Sequence, residues 1–459
     1  MTARLAMLGA NPWLAIGALL GGFLLLFAVL QIYVRAAGGS PETTRKIFHL
    51  GSGILTLTFP FLFRDMWPVF VLTGASALTV AGIKFLPGLR RRFGGVTTRV
   101  ERTTLGELYF PIAIGLLFWL TRAAEPLLFV IPVLMLTFGD ATSALVGARY
   151  GMTRYEGASK SLEGSVAFLV VAFLCAHIPL LLWSSLGRAE SLLIAATLAL
   201  LVMLLEGSAW RGLDNLFIPI GGYFLLRAFM AMDAASLAAR LAIALALVCL
   251  IAVARRRTTL EDDSLVAGAF LCYVAWAVMG WRWLAAPLAI LFAHRWLSSA
   301  TRDNSRRMHG MPALLSVWAA ALAWISLANA RSEPAMLFPY TIVFGAHLAM
   351  FGTSRLAAQF PQARMPPLFA RAVVTSWAVV IGPWLVMDAG VRAAAPAAAL
   401  AATALGAIAL GTILFVRTQP EIRAASHTPA RWLAQAGAAG IASAAAWVVM
   451  LLIAARIDQ

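Results

Sequence analysis

The chain has 459 residues, of which 61% are apolar and only 12% are charged. Soluble domains carry about 25% charged residues and seldom contain repeated apolar runs of ~18 residues, so the composition excludes an ordinary soluble protein. The formal net charge of +16 suits either nucleic acid or an anionic membrane surface, and the distribution of the basic residues has to decide between them.

Apolar runs recur from one end of the chain to the other. They lack the strict alternation of a membrane β-barrel, and backbone groups in hydrocarbon must bond internally, so we predict an all-α, polytopic transmembrane helical bundle. The first run, Trp13–Val34, is interpreted as a retained helix and not as a signal peptide. About sixteen spans are predicted (range 13–17), near 13–34, 47–63, 66–83, 108–120, 126–146, 165–184, 191–205, 216–231, 235–254, 264–279, 281–297, 311–329, 335–352, 372–387, 394–416 and 432–455.

The basic residues alternate between loops in a way that predicts the topology. If the N-terminus is outside, most arginines and lysines fall on the inner segments, as the positive-inside rule requires. The net charge then reflects topology and attraction to anionic membrane lipids, and no nucleic acid is expected as a partner. We expect an integral protein of a bacterial cytoplasmic (inner) membrane.

Two regions differ in composition. Residues 1–254 contain nearly all of the clustered polar residues, whereas 255–459 is rich in alanine with simple basic loops. We predict one catalytic membrane domain followed by an additional multi-span domain of unknown role. Small residues of the kind that dominate 390–455 usually serve close helix packing in lipid.

Four polar clusters interrupt the apolar runs of the first region. The first precedes and enters the second span, and the second precedes the fourth; their residues are Glu42, Arg45, Lys46 and His49, then Glu101, Arg102 and Glu107. The third joins spans five and six, and the fourth joins spans seven and eight; their residues are Gly139, Asp140, Arg149, Arg154, Lys160, Ser161, Glu163 and Gly164, then Glu206, Asp214 and Asn215. The predicted topology places all four on the cytoplasmic side, which indicates an active site there.

The residue types in these clusters suit a metal-bound triphosphate. Mg²⁺ prefers oxygen ligands, often one or two carboxylates together with substrate phosphates, and it neutralises charge during phosphoryl transfer. Basic side chains balance the triphosphate, and glycines such as Gly147, Gly151 and Gly157 allow close backbone approach. Lys160 does not lie in a P-loop, because neither the glycine spacing nor a preceding strand is present. His49 or a carboxylate is a candidate proton acceptor. The alternative interpretation of Asp140 is a solvated helix cap, and that of Glu206, Asp214 and Asn215 is ordinary interfacial residues.

Three motifs in this order resemble those of the polyprenol kinases, the family of dolichol kinase, phytol kinase and the CTP-dependent diacylglycerol kinase. They are Arg45-Lys46-Ile-Phe-His49, Gly139-Asp140 with Lys160-Ser161-Leu-Glu163-Gly164, and Glu206 with Asp214-Asn215-Leu-Phe-Ile-Pro219, within residues 42–226. The resemblance implies transfer of the γ-phosphate of CTP, or of another nucleoside triphosphate, to an isoprenoid alcohol such as dolichol, polyprenol or phytol. It also implies Mg²⁺ or another divalent cation.

The resemblance assigns a role to each candidate residue. The catalytic candidates are His49, Asp140, Lys160, Glu163 and Asp214. The nucleotide-binding candidates are Lys46, Gly139, Arg149, Lys160, Ser161 and Gly164. The metal candidates are Asp140, Glu163, Glu206, Asp214 and Asn215.

Other functions remain open at this point. A cytidylyltransferase that forms a CDP-lipid carries a related acidic and glycine-rich signature, and a diacylglycerol kinase shares the motifs. A transporter is disfavoured because no internal repeat is evident and few ionisable residues, such as Arg227 and Arg240, lie within spans.

Overall fold

A computed structural model describes residues 11–37, 41–89, 105–121, 125–155, 160–255, 258–293, 309–388, 394–419 and 428–457. Within these ranges every regular element is a helix, so the predicted all-α fold is confirmed. Glu101, Arg102 and Gly157, which belong to the predicted polar clusters, lie outside the described residues.

The helices are numbered here in chain order. In the first half they are α1 (Pro12–Ala37), α2 (Pro41–Thr56), α3 (Phe59–Leu62), α4 (Trp67–Phe85), α5 (Gly106–Thr121), α6 (Pro126–Leu134), a π-helical turn (Met135–Gly139), α7 (Asp140–Tyr150), α8 (Leu162–Trp183), α9 (Arg188–Ser208), α10 (Asp214–Phe229) and α11 (Ala234–Ala254). The second half comprises α12 (Asp262–Met279), a 3₁₀ turn (Trp281–Leu284), α13 (Ala285–Ala293), α14 (Met311–Arg331), a 3₁₀ turn (Pro334–Met336), α15 (Leu337–Gln359), α16 (Met365–Asp388), α17 (Ala394–Thr418) and α18 (Pro429–Ile457).

Each of the sixteen predicted spans overlaps a helix, but not all of these helices are long enough to cross a membrane. Among the described residues, 12 helical segments are long and apolar enough to cross a membrane, which indicates an integral membrane protein. The other four predicted spans are shorter helices: α5, α10, α13 with its 3₁₀ turn, and the pair α2–α3. The span predicted at 47–63 is interrupted after Thr56, because Pro60 lies in the first turn of α3 and has no backbone N–H to continue the ladder of α2.

The described contacts divide the chain into two compact units, Met1–Ala246 and Leu247–Gln459. In the first unit α9 is the most deeply buried span, and it packs between α8 and α10. Helix α5 packs against α4 and α10, while α7 packs against α8. This arrangement brings the ends of α2, α5, α7, α8, α9 and α10 that carry the polar clusters within reach of one another.

The second unit is built around α15, which packs against α16, α17 and α18. Its core consists of large apolar side chains from these helices, among them Phe338, Ile342, Ile381, Trp384 and Ile408. The helices approach closely at small residues: a Cβ atom added at Gly411 would lie 3.0 Å from Ala442 Cβ and 3.3 Å from the Ala438 carbonyl oxygen. Small residues at such contacts allow van der Waals packing between helices in lipid.

The Gly411→Val variant should therefore destabilise the second unit. Inserting a branched side chain at this contact forces α17 and α18 apart, at a cost of about 1–3 kcal/mol. The matched control is Gly406→Val on the same helix, where an added Cβ meets nothing within 4 Å. Thermal unfolding of the purified chain in detergent should show a lower midpoint for Gly411→Val than for Gly406→Val, and equal midpoints would contradict the close contact.

Candidate active site

Asp140 lies at a break in a long helical segment that begins at Pro126. The π-helical turn Met135–Gly139 directly precedes it, and such turns are frequent at functional sites because they change the direction of the side chains that follow. The side chain of Asp140 is 11% exposed, and its Oδ2 atom lies 2.7 Å from the Nζ atom of Lys46 on α2. The first and third polar clusters therefore meet in one buried ion pair.

His49 lies one helical turn after Lys46 and joins the same group. Its Nε2 atom is 3.7 Å from Asp140 Oδ2 and 3.3 Å from the Leu136 carbonyl oxygen. The ring also packs edge-on against Phe110 of α5. A carbonyl oxygen only accepts hydrogen bonds, so the bond to Leu136 assigns a proton to Nε2 and leaves Nδ1 of a neutral ring as the acceptor.

Lys160 forms a second buried group with the fourth polar cluster. Its Nζ atom donates to Glu206 Oε1 at 2.8 Å and also to the backbone carbonyl of Glu206. The same ammonium lies 3.8 Å from Asp214 Oδ2. Glu206 is in the last turn of α9, where its carbonyl also accepts from the Ala209 N–H, so Lys160 adds a second bond at this negative helix end and neutralises the acid.

Neighbouring carboxylates stabilise the charged form of Lys160. Burial by itself lowers the pKa of Lys160, but the carboxylates of Glu206 and Asp214 outweigh it, and the pKa of the ammonium is raised above its usual value. While the two carboxylates stay ionised, the stability that the Lys160 ammonium contributes is present up to the ordinary lysine pKa of about 10.4, and it is lost as the pH rises through the raised value.

The group around Asp140 and the group around Lys160 lie next to each other. Ser143, one turn after Asp140 on α7, donates from Oγ to Glu206 Oε1 at 3.5 Å. Asp140 is also close enough to Lys160 to act on its charge. The structure thus brings together Lys46, His49, Asp140, Lys160, Glu206 and Asp214, which the sequence analysis had assigned to one site. Ser143 was not among the predicted residues, although its spacing of three from Asp140 places it on the same helix face.

Glycines allow the close approach of α7 and α8 that positions Ser143. A Cβ atom added at Gly164 would lie 2.9 Å from the Ser143 carbonyl oxygen and 3.4 Å from Gly147 Cα. Ser161 caps α8, since its hydroxyl accepts from the Gly164 N–H at 3.2 Å. Gly139 also has a packing contact, because an added Cβ would lie 2.9 Å from the ring of Phe168.

Glu163 and Arg149 lie apart from the two ion pairs. Both carboxylate oxygens of Glu163 accept from the Thr153 N–H, at 3.0 and 3.2 Å, so this acid ties the first turn of α8 to the residues that follow α7. Arg149 is exposed, and its guanidinium lies 5.4 Å from the centre of the Tyr150 ring. The described contacts bring neither Glu163 nor Arg149 into the two ion pairs, and their catalytic, metal-binding and nucleotide-binding roles stay predictions.

The last predicted residue, Asn215, links α10 to α5. Its Nδ2 atom donates to the Gly106 carbonyl at 3.0 Å. The turn before it contains Arg211 and Gly212 with φ of 55° and 88°, left-handed values that glycine adopts without strain. Glu107, next to Gly106, lies 3.4 Å from Lys84 Nζ and 3.8 Å from Arg45 Nη1, so a further ion-pair group flanks the site.

Two buried oxygens at the site, Glu206 Oε2 and Asn215 Oδ1, make no hydrogen bond within the part of the chain that the structure describes. The same described residues contain no group of three or more His, Cys, Asp or Glu side chains arranged to hold a metal by themselves. Carboxylate and amide oxygens are of the type that Mg²⁺ takes, and that ion completes its shell with water and substrate phosphates.

Known proteins similar to this chain are lipid kinases by name. Phytol kinase from Synechocystis sp. is 31% identical over 219 residues, which is 46% of this chain and 88% of that protein. Dolichol kinase from Saccharomyces cerevisiae is 32% identical over 212 residues, 43% of this chain and 38% of that protein. A probable chloroplastic phytol kinase 2 from Glycine max is 28% identical over 151 residues, 31% of this chain and 48% of that protein.

No protein-family model matches the chain, and no solved structure matches it. The relationship rests instead on the identity to the cyanobacterial protein, which is covered over nearly its whole length. Together with the paired lysines and acids at the end of an apolar helical bundle, it shows that this chain belongs to the polyprenol kinase family, which includes the phytol and dolichol kinases.

Proposed function

We propose that the chain is an integral membrane lipid kinase that transfers the γ-phosphate of a nucleoside triphosphate to an isoprenoid alcohol. One observation carries the proposal: two lysines and three acids from separate motifs form adjacent buried ion pairs, Lys46–Asp140 and Lys160–Glu206 with Asp214 beside it. Catalysis of phosphoryl transfer consists largely of positioning and charge stabilisation, which such a cluster provides.

The names of the relatives support an isoprenoid alcohol as the acceptor. Phytol and dolichol each carry one hydroxyl on a branched hydrocarbon chain, so the acceptor would reach the site from the bilayer. In the reaction the alcohol oxygen forms a bond to the γ-phosphorus, the bond from that phosphorus to the bridging oxygen breaks, and the nucleoside diphosphate leaves with the bridging oxygen. His49, through Nδ1, or Asp140 receives the proton of the hydroxyl.

The remaining residues of the site would bind the phosphate donor, which we propose to be CTP. Lys46 and Lys160 would exchange part of their contact with carboxylates for contact with phosphate oxygens. Asp140, Asp214 and Glu206, with the amide oxygen of Asn215, would hold Mg²⁺, which neutralises the charge on the transferring phosphoryl group.

We further propose that this site faces the cytoplasm, that the membrane is a bacterial inner membrane, and that residues 1–254 form the catalytic domain. The basic residues of the loops support the orientation. Cytosolic nucleotide would then reach the charged cluster directly, while the lipid enters between helices from the side.

The Asp140→Asn variant should lose phosphoryl transfer by at least about 100-fold, because a neutral amide cannot offset Lys46 or bind a metal ion with charge. The assay is transfer of label from γ-labelled CTP to a lipid alcohol in purified membranes. Asp65→Asn, at an exposed acid of the same unit, is the control and should keep full activity. Normal transfer by Asp140→Asn, at normal protein levels, would remove this residue from the mechanism.

The Lys160→Gln variant should be less stable than the double variant Lys160→Gln/Glu206→Gln. Removing one partner leaves a buried carboxylate without compensation and costs about 3–5 kcal/mol, whereas two amides can bond to each other. Thermal unfolding in detergent measures the difference. Equal losses in the single and double variants would show that the two side chains are not coupled.

Product analysis should separate the kinase from a CDP-lipid-forming enzyme. With CTP and a panel of phytol, geranylgeraniol, polyprenol and diacylglycerol, each also supplied as its monophosphate, we expect γ-label to enter the free isoprenoid alcohol and CDP to be released. Transfer of α-labelled CMP from CTP to a lipid monophosphate, which forms a CDP-lipid and releases pyrophosphate, would indicate a cytidylyltransferase. Phosphorylation of diacylglycerol alone would support a diacylglycerol kinase.

A further inference from the structure

The second unit contains an apolar cavity of about 110 Å³ between the end of α11 and helices α12, α13, α14 and α15. Trp318 and Phe344, which are almost fully buried, form part of its wall. Most of the other lining residues are aliphatic, among them Leu250, Ile251, Leu265, Leu288, Leu291 and Val317. None of the described residues that line the cavity is an Asp, Glu, Lys or Arg.

The polar part of the lining is confined to one short stretch of chain and one histidine. Thr258, Thr259 and His309 all line the cavity, and the Thr259 hydroxyl lies 3.0 Å from His309 Nδ1. Backbone bonds fix them together: the His309 N–H donates to the Thr259 carbonyl at 3.2 Å, and the Glu261 N–H donates to the His309 carbonyl at 3.0 Å. The cavity is thus an apolar chamber with a neutral hydrogen-bonding end.

The uncharged lining disfavours a phosphate head group. The described lining residues include no Lys or Arg to pair with a phosphate, and Arg255, just before Thr258 in the chain, is engaged by Asp262 through bonds of 3.0 and 2.8 Å. An anionic head group would therefore be buried in the cavity without a lysine or arginine partner, which is costly. A neutral hydroxyl can donate to or accept from a threonine and a histidine.

We propose that this cavity binds the hydroxyl end of an isoprenoid alcohol, with the hydroxyl against Thr259 and His309 and the adjoining hydrocarbon in the chamber. The choice of occupant rests on the proposed function, which makes such an alcohol the substrate. Apolar cavities of about 150 Å³ accommodate benzene, so a chamber of about 110 Å³ takes one short branched segment. The remaining hydrocarbon of the alcohol lies outside the cavity. The second unit is then a lipid-holding part of the kinase.

Photolabelling of the full-length protein tests the site. The probe is farnesol carrying a diazirine on its first prenyl segment, applied to the Asp140→Asn chain in phospholipid nanodiscs, so that no phosphorylation occurs during labelling. We expect mass spectrometry to find adducts on peptides of α12 or α14. Two comparison probes, the hydrocarbon without the hydroxyl and a phospholipid with the same diazirine, should label these peptides less.

Two variants with a matched control locate the label. Gly268 lines the cavity, and an added Cβ there makes only an ordinary contact of 3.5 Å with Leu314, so Gly268→Leu fills the chamber without a backbone clash. Labelling of α12 and α14 should fall about tenfold, equivalent to about two methylene groups no longer buried. Gly406→Leu, where an added Cβ meets nothing within 4 Å, should label as the parent does. Thr259→Val should reduce labelling by the alcohol and leave labelling by the hydrocarbon unchanged.

The outcomes separate this inference from the proposed function. Adducts on α12 or α14 that Gly268→Leu abolishes support the site, even if the unmodified chain phosphorylates no alcohol. Active phosphorylation of isoprenoids with no such adducts overturns the site and leaves the kinase intact. Equal labelling by the alcohol and the phospholipid also overturns it. If Gly268→Leu unfolds, the comparison of Thr259→Val with the parent decides.

Discussion

Lys46 and Lys160 each place an ammonium group within 2.8 Å of a carboxylate oxygen at the polar end of the first unit. A buried carboxylate without such a partner costs several kcal/mol, so three acids can lie close together here only because cations are interleaved with them. The same pairing leaves the site adaptable. Phosphate oxygens can replace a carboxylate beside a lysine, and a divalent cation can replace a lysine beside a carboxylate, without leaving a charge exposed to hydrocarbon.

The packing of the surrounding helices positions the side chains of this cluster. The π-helical turn before Asp140 directs that side chain toward α2, and close glycine contacts let α7 and α8 approach until Ser143 reaches Glu206. Glu163, which the motif places among the metal ligands, accepts from the Thr153 N–H in this structure. Residues of one motif therefore differ in their contacts: Asp140 and Lys160 form ion pairs, whereas Glu163 accepts from a backbone N–H.

The relatives align with less than half of this chain, and the described residues form two units of similar size. Phosphoryl transfer requires the hydroxyl of the lipid alcohol at the charged cluster of the first unit. The proposed cavity of the second unit, which would hold the hydroxyl end and the adjoining hydrocarbon, is therefore a holding site and not the site of transfer. Close packing at small residues such as Gly411, together with hydrogen bonds such as that from Trp324 Nε1 to Ser443 Oγ, holds the helices of this unit together.

Sequence by itself determined the helical class, the position of each span, and the polar residues that interrupt them, because hydrophobic length and charge are local properties of the chain. The predicted lengths were wrong in places, since apolar composition continues through residues 47–63 whereas the helix ends at Thr56. Only the tertiary structure decided that Lys46 meets Asp140 across 94 residues, that Ser143 joins the site, and that Arg149 lies over Tyr150 instead. These outcomes depend on how helix faces pack, and the distance between two side chains in a folded bundle is not encoded in their spacing along the chain.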